Sequence, residues 1–449
     1  MLRLSWTQPE DLAPHGIQAA RLDGIDVDDL TDEWVAAGGQ LVAPVSGATP
    51  EPAPAGLRAL GREILTRLDE RVAPESLRRA EPDGLAEILA LARPAPTLPG
   101  PSDLLDRVHG AWLGRAAGCL LGKPVEKIPR EGIRAIARAT GNWPVSGYFT
   151  EVGLPRELAE RYPWNRRSRL TSLVENIDGM PEDDDLNFPL IALDLVERHG
   201  DGFTTYDVAQ SWLANLPGGR VFTAERIAYR NLLDGYEPDV AGTVHNPFRD
   251  WIGAQIRTDV YGWTHPGDPA TSARLAWTDA RLTHGRNGLY GAMFAAAACS
   301  AAVVATDVST VLEAGLSVVP PKSRFAAAIA LGAELGPRSA EDALDVIYEH
   351  YGHLHWVHVL NNAAVLAYAL VHGDGDYATT ITTAVTGGWD TDSVGATAGS
   401  LAGALTGAAA LPGEWTDPLR NRLASSVPGF DGIGFDTLAA RTVDDVHRP

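Results

Sequence analysis

From residue 103 onward the chain repeats one pattern, in which apolar side chains recur every three to four residues. This spacing places apolar groups along one face of an α-helix. Segments with this period lie at 104–121, 186–198, 206–216, 224–233, 270–281, 289–305, 324–335, 340–351, 357–371, 377–385 and 394–405. Because no alternating β-branched runs or Asn-Gly hairpin turns separate them, the sequence predicts an all-α fold.

The first hundred residues are organised differently. Residues 1–43 contain short apolar runs without a sustained period. Pro-rich stretches at 44–54 and 93–101 flank amphipathic helical patterns at 57–72 and 84–92. Clusters of Pro, Ala and Gly are typical of linkers. We therefore expect a small N-terminal appendage over residues 1–101, followed by one helical domain over residues 102–449.

The charge balance and the cysteine content exclude several classes of protein. The 58 acidic residues exceed the 37 basic ones, which gives a formal net charge of −21 that repels nucleic acids and anionic membranes. Cys119 and Cys299 each lie in an apolar, alanine-rich segment. They predict buried thiols of a reduced, cytoplasmic protein rather than a disulfide scaffold or a zinc site. The N-terminal segment 1–6 lacks the apolar region of a signal peptide.

Two uncharged stretches, 288–306 and 393–413, approach the length needed to span a bilayer. Both are dominated by Ala, Gly, Ser and Thr rather than by the large apolar residues that drive membrane insertion. We expect two helices buried inside the protein, where small side chains let neighbouring backbones approach closely.

Two acidic clusters stand at the predicted starts of buried helices. They are Glu182-Asp183-Asp184-Asp185 and Asp390-Thr391-Asp392-Ser393. Taken singly, each fits a solvated helix start with an aspartate as N-cap. Brought together, they offer the hard oxygen ligands that suit Mg²⁺, Mn²⁺ or Ca²⁺, and the lack of Cys and His makes zinc a poor fit. This much carboxylate has the capacity to hold two cations with a water between them.

A third feature is a ladder of glycines at four-residue spacing, formed by Gly110, Gly114, Gly118 and Gly122. It strips side chains from one face of a helix and predicts close helix packing. Glu126 follows the Lys-Pro-Val segment that ends this helix, and by itself it reads as a surface acid.

In their order and composition, these three features resemble the ADP-ribosylglycohydrolase family, which includes the dinitrogenase reductase-activating glycohydrolases. The resemblance runs from about residue 103 to about residue 407. It implies an all-α domain of orthogonally packed helices with a two-metal centre, normally containing magnesium or manganese, and it leaves the first hundred residues uncovered.

The resemblance also implies which residues form the site. The family's Thr-Asp-Asp and its late Asp-x-Asp-Ser/Thr fall on Glu182, Asp183, Asp184, Asp390, Asp392 and Ser393, which become candidate metal ligands. Glu126 falls on an acid that gates the site in several members, and it joins Asp183 and Asp184 as a candidate catalytic group. Glu182 replaces the usual Thr, and Asp185 stands where a second Thr is common, so the identity of the metal stays open.

Three further residues become candidates for substrate binding. His284 lies in a segment similar to the family's Ser/Thr-His segment, and Asn246 lies in a loop similar to a family binding loop. Trp389 is inserted before Asp390, where an aromatic ring has the shape to stack on a base or a sugar. Without the resemblance, a lone histidine or tryptophan reads as a structural residue.

The implied activity is metal-dependent hydrolysis of an N- or O-glycosidic bond at ribose C1, in an ADP-ribosylated protein or a small ADP-ribosyl compound. One alternative is a glycohydrolase for another riboside or nucleoside-like metabolite. Another is a catalytically silent protein that binds metal or ADP-ribose. Asp390 to Val394 also match the motif of haloacid-dehalogenase-type phosphatases, but that motif belongs at the end of an early parallel strand and here it comes late in a helical chain.

Overall fold

The computed structural model of the chain describes residues 3–43, 45–100 and 102–446. Pro44 and Pro101, at the ends of the predicted Pro-rich stretches, lie outside this part, as do residues 1–2 and 447–449. Within the described ranges the regular structure is helical, and β-pairing is limited to isolated bridges such as that between Met180 and Leu423. The all-α prediction is confirmed.

The N-terminal part contains α1 (Pro9–Leu22), α2 (Asp28–Ala36), α3 (Ala55–Asp69), α4 (Glu75–Ala80) and α5 (Leu85–Leu91). The following helices are α6 (Leu104–Gly122), α7 (Arg130–Ala139), α8 (Arg156–Arg161), α9 (Asp184–His199), α10 (Thr205–Asn215), α11 (Thr223–Leu233), α12 (Pro238–Ala241), α13 (Asp259–Trp263), α14 (Pro269–Ala280), α15 (Arg286–Ala302), α16 (Val308–Ser317), α17 (Arg324–Leu335), α18 (Ala340–Tyr351), α19 (Val359–Gly373), α20 (Tyr377–Thr386), α21 (Thr391–Thr406), α22 (Gly413–Thr416) and α23 (Phe435–Asp445). Short 3₁₀ turns lie at Lys123–Val125, Ser168–Leu170, Gly200–Gly202, Gly218–Arg220, Ile252–Arg257, Ala408–Ala410 and Asp417–Leu419.

The predicted periodic segments correspond to helices, and α17 and α18 begin and end at the predicted residues. The sequence pattern did not predict α1 and α2, which lie where no sustained period is present. In α1 the buried residues include Glu10, Asp11 and Pro14 beside the apolar ones, and α2 buries little besides Leu30 and Trp34. Such short, weakly apolar faces give little periodic signal.

Helices α6 and α21 form the centre of the domain and pack backbone against backbone. A Cβ atom on Gly118 would overlap the carbonyl of Gly395, and one on Gly395 would overlap the carbonyl of Gly118. Gly114 and Gly399 face each other in the same reciprocal way. The glycine ladder of α6 therefore packs closely against another helix, as its spacing predicts. Gly395, Gly399 and Gly403 form the matching ladder on α21.

The two long uncharged stretches form α15 and α21, and nearly all of their residues are buried. In the described part of the chain, no helix combines the length and the apolar character that crossing a bilayer requires.

The N-terminal helices dock on the helical domain through rings and buried ion pairs. Trp6 packs edge to face against Phe248 and Trp251, with ring centroids 5.5 and 5.6 Å apart. Glu81 pairs with Arg324 at 2.7 Å and accepts a hydrogen bond from Asn287 at 2.8 Å. A second, smaller core lies among α1, α2 and α3. The domain boundary at residue 101 stays a prediction.

Candidate metal centre

The first acidic cluster forms the N-terminus of α9. Asp183 has extended backbone and caps the helix by accepting a hydrogen bond from the backbone N–H of Asp185 at 3.0 Å. Asp184 is the first helical residue, and Asp185 is buried beneath it. The cap that the sequence allowed is therefore present, but it uses only one of the carboxylates.

The second cluster forms the N-terminus of α21. Gly388 and Trp389 both adopt left-handed backbone, with φ of 79° and 64°, and turn the chain sharply before Asp390. The Thr391 hydroxyl donates a hydrogen bond to the carbonyl of Gly122 at 2.8 Å. Because Gly122 ends α6, this bond ties the second acidic cluster to the end of the glycine ladder.

Glu126 lies just beyond that ladder and joins the second cluster. Carboxylate oxygens of Glu126, Asp390 and Asp392 lie within 4.8 Å of one another, a spacing suited to a shared cation. Asn165 donates a hydrogen bond to Glu126, and the ammonium of Lys127 lies 3.3 Å from its carboxylate. Glu126 is thus held at the site rather than free on the surface.

The electrostatics of this cluster favour a bound cation. Burial, and then the charge of Glu126, raise the pKa of Asp392 to about 8. Burial and the neighbouring charges of Asp392 and Glu126 also raise the pKa of Asp390 well above its ordinary value. Carboxylates packed this closely are stable in their charged form only when positive charge is supplied.

Two buried cations hold the first cluster from the inside. The Lys123 ammonium forms an ion pair with Asp183. Burial alone would raise the pKa of Asp183, but the charge and hydrogen bond of Lys123 outweigh it and lower that pKa. Arg115 donates to the backbone carbonyl of Asp185 at 2.8 Å and pairs with Asp259 at 2.8 Å. The sequence pattern assigned no role to Lys123 or Arg115.

Asp185 is the other residue that the sequence pattern left without a role. Its Oδ2 accepts a hydrogen bond from the Ser393 hydroxyl at 3.3 Å, while its buried Oδ1 has no hydrogen-bond partner. This contact joins the two acidic clusters, which therefore lie side by side. This Oδ1 atom lies 3.6 Å from the Arg115 guanidinium without a hydrogen bond, and it is a further oxygen ligand available to a hard cation.

The remaining predicted ligands of the first cluster differ in environment. Glu182 contacts Arg220 at 2.7 Å, the Asn187 amide at 3.0 Å and the backbone N–H of Ser426 at 3.0 Å. Its carboxylate is therefore already satisfied by protein groups. Asp184 lines the cleft, and burial followed by the charges of Asp183 and Asp392 raises its pKa well above the ordinary value.

A second group of potential ligands, formed by Cys119 with Asp183 and Asp185, lies beside the first. Burial and the neighbouring aspartates raise the pKa of the Cys119 thiol well above its ordinary value, which disfavours the thiolate that binds soft metals. The donor set thus consists of carboxylates and a hydroxyl, and it fits Mg²⁺, Mn²⁺ or Ca²⁺ better than zinc.

The two clusters open into a cleft of about 1130 Å³. Its lining includes the acids Glu126, Asp183, Asp184, Asp390 and Asp392, the cations Arg161, Arg166 and Arg167, and the rings of Tyr162, Trp164, Phe222 and Trp356. The acids are buried or half-buried and the three arginines are exposed, so the cleft has an acidic floor and a basic mouth.

The predicted substrate-binding residues do not line this cleft. His284 is buried, and its Nδ1 lies 2.6 Å from the hydroxyl oxygen of Thr283. Burial lowers the pKa of His284 well below the ordinary value. The Asn246 amide donates to the backbone carbonyls of Gly242 and Thr283 at 2.9 and 3.0 Å, which holds two loops together. Trp389 stacks on Tyr348 with ring centroids 4.0 Å apart. Each of the three contacts other groups of the fold, and the role of these residues in substrate binding stays a prediction.

Comparison with known proteins adds independent information. The family model of the ADP-ribosylglycohydrolases matches residues 100–446, about three quarters of the chain. One similar solved structure, described as an ADP-ribosylglycohydrolase-related protein complex, shares 21% sequence identity over 77% of this chain and 99% of that chain, with a TM-score of 0.45. No curated protein matches. On the extent of the family match, the chain belongs to the ADP-ribosylglycohydrolase family and is a glycosidase-type hydrolase.

Proposed function

We propose that this enzyme hydrolyses an N- or O-glycosidic bond at ribose C1 of an ADP-ribosylated protein or a small ADP-ribosyl compound, with divalent cations as cofactors. The observation that carries the proposal is the convergence of Glu126, Asp390 and Asp392 at the floor of the cleft, within 4.8 Å of one another. Asp183, Asp184 and Ser393 complete the proposed ligand set, and two Mg²⁺ ions are the preferred occupants, with Mn²⁺ or Ca²⁺ as alternatives.

Bound cations at this floor would orient the ribose hydroxyls and lower the pKa of a water molecule. In the proposal, a carboxylate oxygen of Glu126 accepts a proton from the attacking water, and Asn165 and Lys127 keep that carboxylate in place. The ion pair with Lys123 keeps Asp183 ionised and fixed at the cap of α9. Hydrolysis at C1 passes through an oxocarbenium-like state, which nearby carboxylates stabilise electrostatically.

The mouth of the cleft supports an anionic, base-containing substrate. Arg161, Arg166 and Arg167 are exposed there, in a protein whose net charge is −21. The guanidinium of Arg167 lies 5.7 Å from the ring of Phe222, so cationic and aromatic groups are adjacent. Phosphates suit arginines and a base suits an aromatic face. The two unpaired, buried cysteines support a reducing compartment such as the cytoplasm.

The test is a substrate panel of ADP-ribosyl-arginine, ADP-ribosyl-serine, O-acetyl-ADP-ribose and simpler ribosides, assayed with Mg²⁺ and with a chelator. We expect Mg²⁺-dependent release of the sugar from at least one ADP-ribosyl compound, and loss of both metal binding and turnover in Asp392→Ala. The exposed Asp32 provides a control, because Asp32→Ala removes a carboxylate far along the chain from both clusters.

Each other outcome points to a different function. Turnover confined to simple ribosides would favour a nucleoside-like metabolite as substrate. ADP-ribose binding without turnover would favour a silent binding protein, and phosphate release without sugar release would favour a phosphatase. An active Asp392→Ala variant would contradict the proposed role of the cluster.

A further inference from the structure

The family model begins at residue 100, yet part of the chain before that point lines the cleft. Ser5, Trp6, Ser46 and Gly47 share the cleft with Asp183 and Asp184. These residues come from two short segments, 3–6 and 45–49, which we call the N-terminal wall. The wall stands outside the matched region but faces the same space as the acidic floor.

The N-terminal wall is held rigidly. The backbone N–H of Trp6 donates to the carbonyl of Gly47 at 2.9 Å, and the Arg3 guanidinium donates to the carbonyl of Thr49 at 2.7 Å. Trp6 is 6% exposed and adopts left-handed backbone with φ of 64°. Such backbone costs a non-glycine residue about 1–2 kcal/mol, so it persists only where surrounding contacts fix it, and it is enriched at functional sites.

A buried arginine joins this wall to the helical domain. Arg226, on α11, donates to the hydroxyl of Ser5 at 2.6 Å and to its backbone carbonyl at 3.1 Å. Its Nε has no hydrogen-bond partner, although the side chain is buried. Burial and the nearby charge of Arg167 lower the pKa of Arg226 to about 10. Arg226 therefore anchors the wall next to the basic mouth of the cleft.

The wall and the mouth differ in chemistry. The residues of the wall that line the cleft are Ser5, Trp6, Ser46 and Gly47, and none of them has a charged side chain. The cleft, at about 1130 Å³, exceeds the roughly 300–1,000 Å³ of most small-ligand pockets, which leaves room for a group attached to a nucleotide-sized ligand.

We propose that the N-terminal wall is a specificity element of the active site, which contacts an uncharged, hydrogen-bonding part of the substrate and limits its size. This inference rests on the proposed function. It assigns to residues 3–6 and 45–49 a direct part in substrate selection, in addition to their packing on the domain.

Ser46 allows a clean test because it is exposed, lies on the wall and takes no part in the acidic clusters. Ser46→Trp places a large ring at the cleft without disturbing a packed core. Val42→Trp, at a residue that is 72% exposed and outside the cleft lining, is the matched control. Both variants are compared with wild type for thermal unfolding, for Mn²⁺ binding and for kcat/KM on the same substrate panel.

We expect Ser46→Trp to lower kcat/KM by about tenfold or more for the bulkiest substrate that wild type accepts, with a smaller loss for the smallest one. Mn²⁺ binding and unfolding should match Val42→Trp. Equal kinetics of Ser46→Trp and Val42→Trp across the panel would overturn the inference while leaving the proposed function intact. A wild-type enzyme that neither binds ADP-ribose nor turns over any panel member would overturn both.

Discussion

Lys123 and Asp183 form a buried ion pair that joins the end of α6 to the cap of α9. The two side chains are only 7% and 10% exposed. The pair supplies positive charge next to a cluster of carboxylates, and it positions Asp183 before any cation binds. Its two members come from different parts of the sequence, which meet only because α6 ends at the start of α21, beside the cap of α9.

Removing this ammonium should destabilise the protein. In the presence of a chelator, Lys123→Met should lower the free energy of unfolding by about 3–5 kcal/mol, because Asp183 is left as an uncompensated buried charge. The double variant Lys123→Met/Asp183→Asn should recover part of that loss. Urea denaturation measures both. Lys322→Met, at an exposed lysine, serves as control, and an equal loss in the control would contradict this explanation.

The carboxylates of the acidic floor should destabilise the folded protein when no cation is bound. Asp392→Asn keeps the shape of the side chain but relieves its repulsion with Glu126 and Asp390, so without metal it should raise the free energy of unfolding by about 1 kcal/mol. Added Mg²⁺ should raise the melting temperature of wild type and leave that of the variant unchanged. Thermal melts with and without Mg²⁺ check both statements, and an equal Mg²⁺ response in the two proteins would refute the assignment of Asp392 as a ligand.

The contact between α6 and α21 should not tolerate a methyl group. Gly118→Ala should destabilise by about 1–3 kcal/mol, because the new Cβ overlaps the backbone of Gly395. At Gly56, in α3, a methyl group would meet no neighbouring atom within 4 Å, and Gly56→Ala should stabilise by about 0.5 kcal/mol. Denaturant unfolding of the two variants distinguishes packing from helix propensity, since propensity alone predicts stabilisation in both.

Acid should loosen the docking of the N-terminal helices. Burial lowers the pKa of His15 to about 4, and burial together with the charges of nearby histidines lowers that of His355 to about 3. The two rings lie 5.4 Å apart, and His355 stacks on Trp251. Because the unfolded chain binds protons near pH 6.5 and the folded one does not, this stability is complete above about pH 6.5 and is lost as pH falls toward about 4.

The comparison of His15→Gln with wild type isolates this effect. Between about pH 6.5 and pH 4, the free energy of unfolding should fall less steeply in His15→Gln than in wild type. His350→Gln, at an exposed histidine of α18, should keep the wild-type slope. Urea titrations at several pH values provide the measurement, and identical slopes in all three proteins would show that His15 is not held neutral.

The local sequence pattern predicted most of the helices. Where an apolar face was long and regular, as in α17 and α18, the period located the helix, because one face of such a helix has to be buried. The docking of α1 and α2 was not visible, since their weak faces become buried through tertiary contacts such as those of Trp6. Periodicity reports burial along one helix and contains no information about its partner.

For the candidate site, too, local sequence predicted one part and only the tertiary structure determined the rest. Residue type and spacing identified the clusters at Asp183 and Asp390 as oxygen-rich helix starts, and these are properties of a few adjacent residues. Only the tertiary structure decided that Glu126 joins Asp392, that Lys123 pairs with Asp183 and that Glu182 contacts Arg220. It also placed His284, Asn246 and Trp389 outside the lining of the cleft and brought the N-terminal wall to it. The physical reason is that ligand sets and pockets depend on distances between residues far apart in the chain, and those distances are fixed by packing.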